Sequence, residues 1–312
     1  MLILILILGH LIADYPLQTT KLIQKKQQGP LGVFQHVGIH LCTYLVIIFI
    51  SSNIGLLEFN LLILFYVFLV CIAHLLVDLT KEKLNNKISN HSSFDSYQKS
   101  IIVAALYILD QLAHLASIVI LAMLLFESSS MGITNLFNNL VSGESIKLDL
   151  DEKLVSTLII VLLNTYFSGY LISLILKEFR PNNKITETII EGSFTTNNTN
   201  VRYEDLSAET IENDLNTYLT KSEEDMKLNK KISIISDSPP KAGMWIGILE
   251  RNLILLLCVS NSLSSIGFLI AMKALTRFKQ FDDKSFSEYY LIGTMLSIIF
   301  GMSAGFVTKF IW

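Results

Sequence analysis

The sequence predicts an all-α fold, a polytopic membrane helical bundle of about seven or eight transmembrane helices with a small cytosolic loop region. Three observations predict it. Of 312 residues, 51% are hydrophobic and 16% charged, with a mean hydropathy of +0.51, which leaves too few charges to cover a soluble surface of that size. Apolar runs recur at lengths near the roughly 20 residues that cross about 30 Å of hydrocarbon. Inside four of these runs, ionisable residues stand four apart: His10 and Asp14, His36 and His40, His74 and Asp78, Asp110 and His114. A spacing of four puts two side chains on one helix face, with β-carbons about 5–6 Å apart.

Taken in order, the predicted spans fall near residues 1–19, 32–53, 59–80, 100–126, 154–177, 244–260, 262–276 and 286–311. The run Met1 to Leu8 has the apolar character of a signal peptide but neither its basic flank nor its small-residue cleavage site, so it is expected to stay in the protein as part of the first span. The sixth and seventh spans are short, and a tight or re-entrant hairpin is expected around Ser260 to Ser265. Four regions follow: a His/Asp-rich membrane domain at 1–126, an outer loop and fifth helix at 127–177, a cytosolic loop or small appendage at 178–243, and a membrane hairpin with a final helix at 244–312. Within 178–243 the apolar positions Ile211, Leu215 and Leu219 have helical spacing, Lys231 to Ile235 reads as a strand, and Ser238-Pro239-Pro240 is a breaker.

Basic residues orient the bundle. Lys21, Lys25 and Lys26 follow the first span, Lys81, Lys83, Lys87 and Lys99 separate the third from the fourth, and Lys177, Arg180 and Lys184 follow the fifth. Neutral or acidic loops, Ser51 to Asn60 and Glu144 to Glu152, alternate with them. The expected location is therefore the inner, cytoplasmic membrane, with 178–243 in the cytosol. A net charge of −3 without a basic stripe excludes nucleic acid as a partner. Cys42, Cys71 and Cys258 stand singly in apolar segments and read as reduced packing residues.

An Asp at mid-bilayer costs roughly 2.5–3.5 kcal/mol on insertion scales, so four such placements need a common cause. Counted from the basic flanks, the four pairs all lie in the cytosolic half of the membrane, where helices one to four can aim them at one site. Imidazoles and carboxylates without thiolates suit Zn²⁺, Mn²⁺ or Fe²⁺ in a catalytic rather than a closed structural site. The expected ligands are His10, Asp14, His36, His40, His74, Asp78, Asp110 and His114, holding one or two divalent transition-metal ions, Zn²⁺ or Mn²⁺, with Asp14 or Asp110 as general base. The competing readings are interhelical hydrogen bonds, a proton or metal-ion pathway in a transporter, and a membrane sensor. His91, in a polar loop, reads as solvated.

The segment Gly9-His10-Leu11-Ile12-Ala13-Asp14-Tyr15-Pro16-Leu17-Gln18, the His36/His40 pair, Ala73-His74-Leu75-Leu76-Val77-Asp78 with Lys81, and Leu109-Asp110-Gln111-Leu112-Ala113-His114-Leu115 together resemble the bacterial membrane proteins grouped as domain of unknown function 3307. The resemblance covers about residues 9–125 and brings no established activity. A more distant similarity to membrane-bound metal-dependent hydrolases implies hydrolysis by analogy. Three later stretches resemble longer members of the group: Ile246 to Arg251, Ile266 to Lys273 with Arg277-Phe278, and Glu288 to Thr294. In them Glu250, Arg251 and Lys273 are expected in ion pairs or against lipid phosphate, while Lys273, Arg277 and Lys279 could equally snorkel to the cytosolic face. Gly247, Gly267, Gly293 and Gly301 are expected at close helix contacts.

The expected function is metal-dependent hydrolysis of a phosphoester or lipid-linked substrate at the cytosolic leaflet. The expected partners are the bilayer, that substrate, and either a second copy of the chain or a soluble protein bound through 178–243.

Overall fold

A computed structural model describes residues 1–89, 95–127, 131–132, 134, 148–180, 188–191, 229–232 and 242–312. The chain divides into two units, Met1–Pro181 with Pro240–Trp312, and Asn182–Pro239. Among the described residues the first unit is helical throughout. Its elements are α1 (Leu2–Asp14), α2 (Thr20–Gln28), α3 (Pro30–Asn53), α4 (Leu61–Ser89), α5 (Ser96–Leu125), α6 (Leu150–Ile175), α7 (Ala242–Val259), α8 (Ser264–Thr276) and α9 (Lys284–Ile311). Six of these, α3 to α7 and α9, are long and apolar enough to cross a membrane. The apolar α1 and α8 have 13 residues each, about 20 Å at 1.5 Å per residue, which is short of a 30 Å hydrocarbon core.

Local chemistry fixes the helix starts. Asp95 caps α5 by accepting from Gln98 N at 2.7 Å, while Gln98 Oε1 accepts from Asp95 N at 3.3 Å, a reciprocal capping box. Asp149 and Glu152 form the same box at α6, and Asp283 accepts from Ser285 N at α9. Pro30 opens α3 at a position where its missing N–H costs nothing. The α7–α8 connection is a tight turn with Asn261 in the left-handed region, φ 56°.

The element missed by sequence reasoning is α2, whose lysines looked like a topological flank. Thr19 caps it, and Gly32 lets α3 approach so closely that a β-carbon there would lie 2.2 Å from the Lys25 carbonyl carbon. That approach carries Lys26 under the bundle.

Two apolar layers enclose the polar centre of α1, α3, α4 and α5. One contains Leu6, Tyr44, Ile48, Tyr66, Val67 and Ile118, with Tyr66 donating to the Ile118 carbonyl at 2.6 Å. The other brings Ala104 and Tyr107 of α5 against Leu171 of α6.

The carboxy-terminal helices pack through small residues. Gly301 and Gly305 of α9, four apart, face Ile254 and Cys258 of α7, where added β-carbons would lie 2.9 and 2.4 Å from side-chain atoms. Gly293 meets Leu176 at 3.0 Å. The expectation fails at two glycines: a β-carbon on Gly267 would meet nothing within 4 Å, and one on Gly247 would meet Arg251 of its own helix. Gly305, unnoticed in the sequence, makes the tightest of the α7–α9 contacts.

In the second unit, β1 (Thr188–Glu191) pairs antiparallel with β2 (Asn229–Ile232), Thr188 opposite Ile232 and Glu191 opposite Asn229. Of the expected strand Lys231 to Ile235, Lys231 and Ile232 belong to β2, and the rest lies outside the described residues. His91, the helical pattern of 208–227 and Ser238 to Pro240 also lie outside them.

Candidate metal centre

Each of four helices presents one of its spaced pairs to the same interior. α1 supplies His10 and Asp14, α3 His36 and His40, α4 His74 and Asp78, and α5 Asp110 and His114. All eight are buried, from 0% exposed at His10, His36 and His40 to 8% at Asp14. Burial of that many ionisable groups in a membrane unit is affordable only if they satisfy one another or hold an ion.

Asp14 is the hub. His36 Nε2 and His40 Nε2 lie 3.0 and 3.1 Å from its Oδ1 and 3.1 Å from each other, His10 Nε2 lies 3.5 Å from its Oδ2, and Gln111 Nε2 donates to the same oxygen at 2.9 Å. Asp78 is a second centre, with His74 Nε2 at 3.5 Å, His36 Nε2 at 3.7 Å and His114 Nε2 at 3.7 Å. The rings pack as well: His74 stacks on His114 with centroids 4.0 Å apart and meets His40, tilted by 37°, at 3.9 Å.

Two sets offer donor atoms all within 4.8 Å of one another: Asp14, His36, His40 and His74, and His74, Asp78 and His114. His74 belongs to both. His10 and Asp110 belong to neither, although they border the sets; Asp110 Oδ1 lies 3.3 Å from His114 Nε2.

Residues outside the spaced pairs complete the centre. Lys26 of α2 donates to Asp78 Oδ2 at 2.8 Å, and Lys81, one turn beyond the His74/Asp78 pair on α4, donates to Asp110 Oδ2 at 2.6 Å. Tyr15 and Tyr107 hydroxyls are 2.5 Å apart, and Tyr15 donates to Gln111 Oε1 at 3.4 Å, which joins α1 to α5 beside Asp14. Lys81 and Gln111 stand inside the conspicuous motifs, so their positions were legible while their partners were not. Lys26 gave no signal beyond its charge.

The donor set fits a divalent ion on two counts. Nitrogen and carboxylate oxygen without sulfur is the set that Zn²⁺ and Mn²⁺ accept. Moreover His74 Nε2, His114 Nε2, both nitrogens of His10 and Asp110 Oδ1 are buried without a hydrogen-bond partner, each a cost of about 1–3 kcal/mol if nothing else meets it.

A family model described as protein of unknown function (DUF3307) matches residues 2–141. Residues 2–141 are thus similar to the DUF3307 family. The match takes in α1 to α5, and thus every member of the buried centre, whereas α6 to α9 lie beyond the DUF3307 region. No curated protein and no solved structure matches the chain.

Beyond the DUF3307 region a smaller polar cluster joins α7, α8 and α9. Lys273 donates to Glu250 Oε2 at 2.7 Å and to Thr294 Oγ1 at 3.0 Å, so it is an interhelical ion pair rather than a snorkelling surface lysine. Arg277 is half-buried and donates to Gln280 Oε1 at 3.0 Å. Arg251 answers a break in α6: Leu163–Phe167 is a π-helical turn, and Arg251 Nε and Nη2 donate to the Asn164 and Thr165 carbonyls at 2.8 and 3.0 Å. Gly169 leaves room for that guanidinium, since a β-carbon there would lie 2.7 Å from Nη2.

Proposed function

We propose that this chain is a multi-pass inner-membrane protein that holds one or two divalent transition ions, Zn²⁺ or Mn²⁺, among its buried His and Asp side chains, and that it hydrolyses a phosphoester or lipid-linked ester at the cytosolic leaflet. The observation that supports the reading is the convergence of Asp14, His36, His40 and His74, from three helices, with donor atoms within 4.8 Å of one another. A bound ion would supply Lewis acidity for the ester and lower the pKa of water toward neutrality.

The chain's own groups have separable tasks. Gln111 and the two imidazoles on its Oδ1 orient Asp14, which makes that residue a ligand. Lys26 and Lys81 fix Asp78 and Asp110 in place through ion-pair contacts at 2.8 and 2.6 Å. Asp110 is the better proton acceptor of the two expected acids, because it stands beside both donor sets without belonging to either, whereas Asp14 belongs to one.

One observation favours a second reading, metal-ion transport. His74 is common to both ligand sets, so an ion could pass from one to the other without leaving that imidazole. Hydrolysis and transport separate in one experiment: phospholipids, lipid pyrophosphates and generic phosphoesters are screened with wild type and Asp110→Asn, alongside metal flux into liposomes. Metal-dependent product that falls in the Asn variant supports the hydrolase. Flux without product from any substrate replaces it with the transporter.

A further inference from the structure

We propose that the groove on the outer side of α1 and α3 is a binding site for one acyl chain of an anionic membrane lipid. The groove has a volume of about 570 Å³, and its lining includes Ile12, Leu17, Gln35, Gly38, Cys42 and Val46. Its inner lining, Thr43 and Ile47, continues the face of α3 that carries His36 and His40, but Leu17, Cys42 and Val46 open it at the surface, and the inference does not depend on the metal reading.

Four features select the occupant. The α3 part of the lining runs from Gln35 to Ile47, a rise of about 18 Å at 1.5 Å per residue, slightly more than half of a 30 Å hydrocarbon core. That is the depth an acyl chain reaches from one leaflet. The lining is almost wholly apolar except at one end, where Gln35 accepts from Lys25 Nζ at 3.4 Å. Lys25 and Lys21, one turn apart on α2, are both exposed, so two ammonium groups stand where the headgroup of such a lipid would lie.

The fourth feature is Gly38. Glycine inside a helix is destabilising by roughly 0.5–1 kcal/mol relative to alanine. At Gly9 and Gly32 close helix approach explains the residue, because an added β-carbon would collide with Tyr44 or the Lys25 backbone. At Gly38 a β-carbon would meet nothing within 4 Å, so no packing contact within the chain requires the glycine. Its missing side chain deepens the groove instead.

The test uses the full-length protein in phosphatidylcholine vesicles that contain a minor fraction of phosphatidylglycerol with a photoactivatable acyl chain, with cross-links mapped by mass spectrometry. Cross-links are expected to concentrate on α3 between Gln35 and Ile47. Gly38→Leu, whose β-carbon would meet nothing within 4 Å, should occupy groove volume and reduce them about tenfold, equivalent to roughly 1.4 kcal/mol of lost binding, whereas Gly38→Ala should retain them. Lys21→Gln with Lys25→Gln should remove the preference for phosphatidylglycerol over a phosphatidylcholine probe. Cross-links spread evenly over the exposed residues of α3, α4 and α5 and unchanged in Gly38→Leu would mean bulk lipid only, and overturn the proposal. Chain-to-chain cross-links through Cys42 that exclude the lipid probe would also overturn it, in favour of a second copy.

Discussion

Replacing His74 by alanine strikes the one side chain that both ligand sets share, so its effect divides into two parts that can be measured separately. The first is packing. The ring is 1% exposed and sandwiched between His40 and His114 at centroid distances of 3.9 and 4.0 Å. Truncating a buried Phe or Trp costs about 3–5 kcal/mol, and for the smaller imidazole about 2–3 kcal/mol is reasonable. The second is metal linkage: at a free ion concentration one hundred times the dissociation constant, binding stabilises the folded state by about 2.7 kcal/mol. His74→Ala should therefore lose about 5 kcal/mol in saturating Zn²⁺ but only the packing share in chelator. The assay is thermal unfolding of the detergent-extracted full-length protein under both conditions, with His74→Gln as a variant that keeps more of the volume. The wild type should gain thermal stability from metal, and both variants should lose that gain. If His74→Ala responds to metal as the wild type does, the shared-ligand reasoning is wrong even if the variant is less stable.

Three further outcomes follow from other parts of the chain. Asp110→Asn should retain metal while turnover of any identified ester falls about 10²–10⁴-fold, the usual contribution of a general base, as followed by product release and elemental analysis. Gly305→Ala should destabilise by about 1–3 kcal/mol through overpacking against Cys258, while Gly267→Ala, with open space around it, should be neutral or slightly stabilising in the same melts. A single cysteine introduced between residues 185 and 240 should react with an impermeant maleimide only after the membrane is opened; labelling in intact cells would invert the topology drawn from the basic loops.

The spaced pairs were legible because helical periodicity converts an interval of four directly into a shared face, and a buried charge in an apolar run is conspicuous on cost alone. What joined the four faces was not legible. Gln111 on Asp14, Lys26 on Asp78 and Tyr15 on Tyr107 are contacts between residues 52 to 97 positions apart, and nothing local in the sequence names those partners. The glycines show the same boundary. Gly301 was expected at a close contact and Gly305, four residues on and in closer contact still, was passed over, while Gly267 looked equivalent to Gly301 in the sequence and meets no neighbour. The π-turn at Leu163–Phe167 depends on Arg251, 87 residues on from Asn164, so its cause lies in a different helix.

The central claim is that the buried histidines and aspartates hold metal, and elemental analysis of the purified full-length protein after removal of loosely bound ions tests it most directly. The account expects about one or two transition-metal ions per chain by donor count, lost when His36 and His40 are both replaced by alanine. Metal far below one ion per chain, the same in wild type and in the double variant, would contradict it.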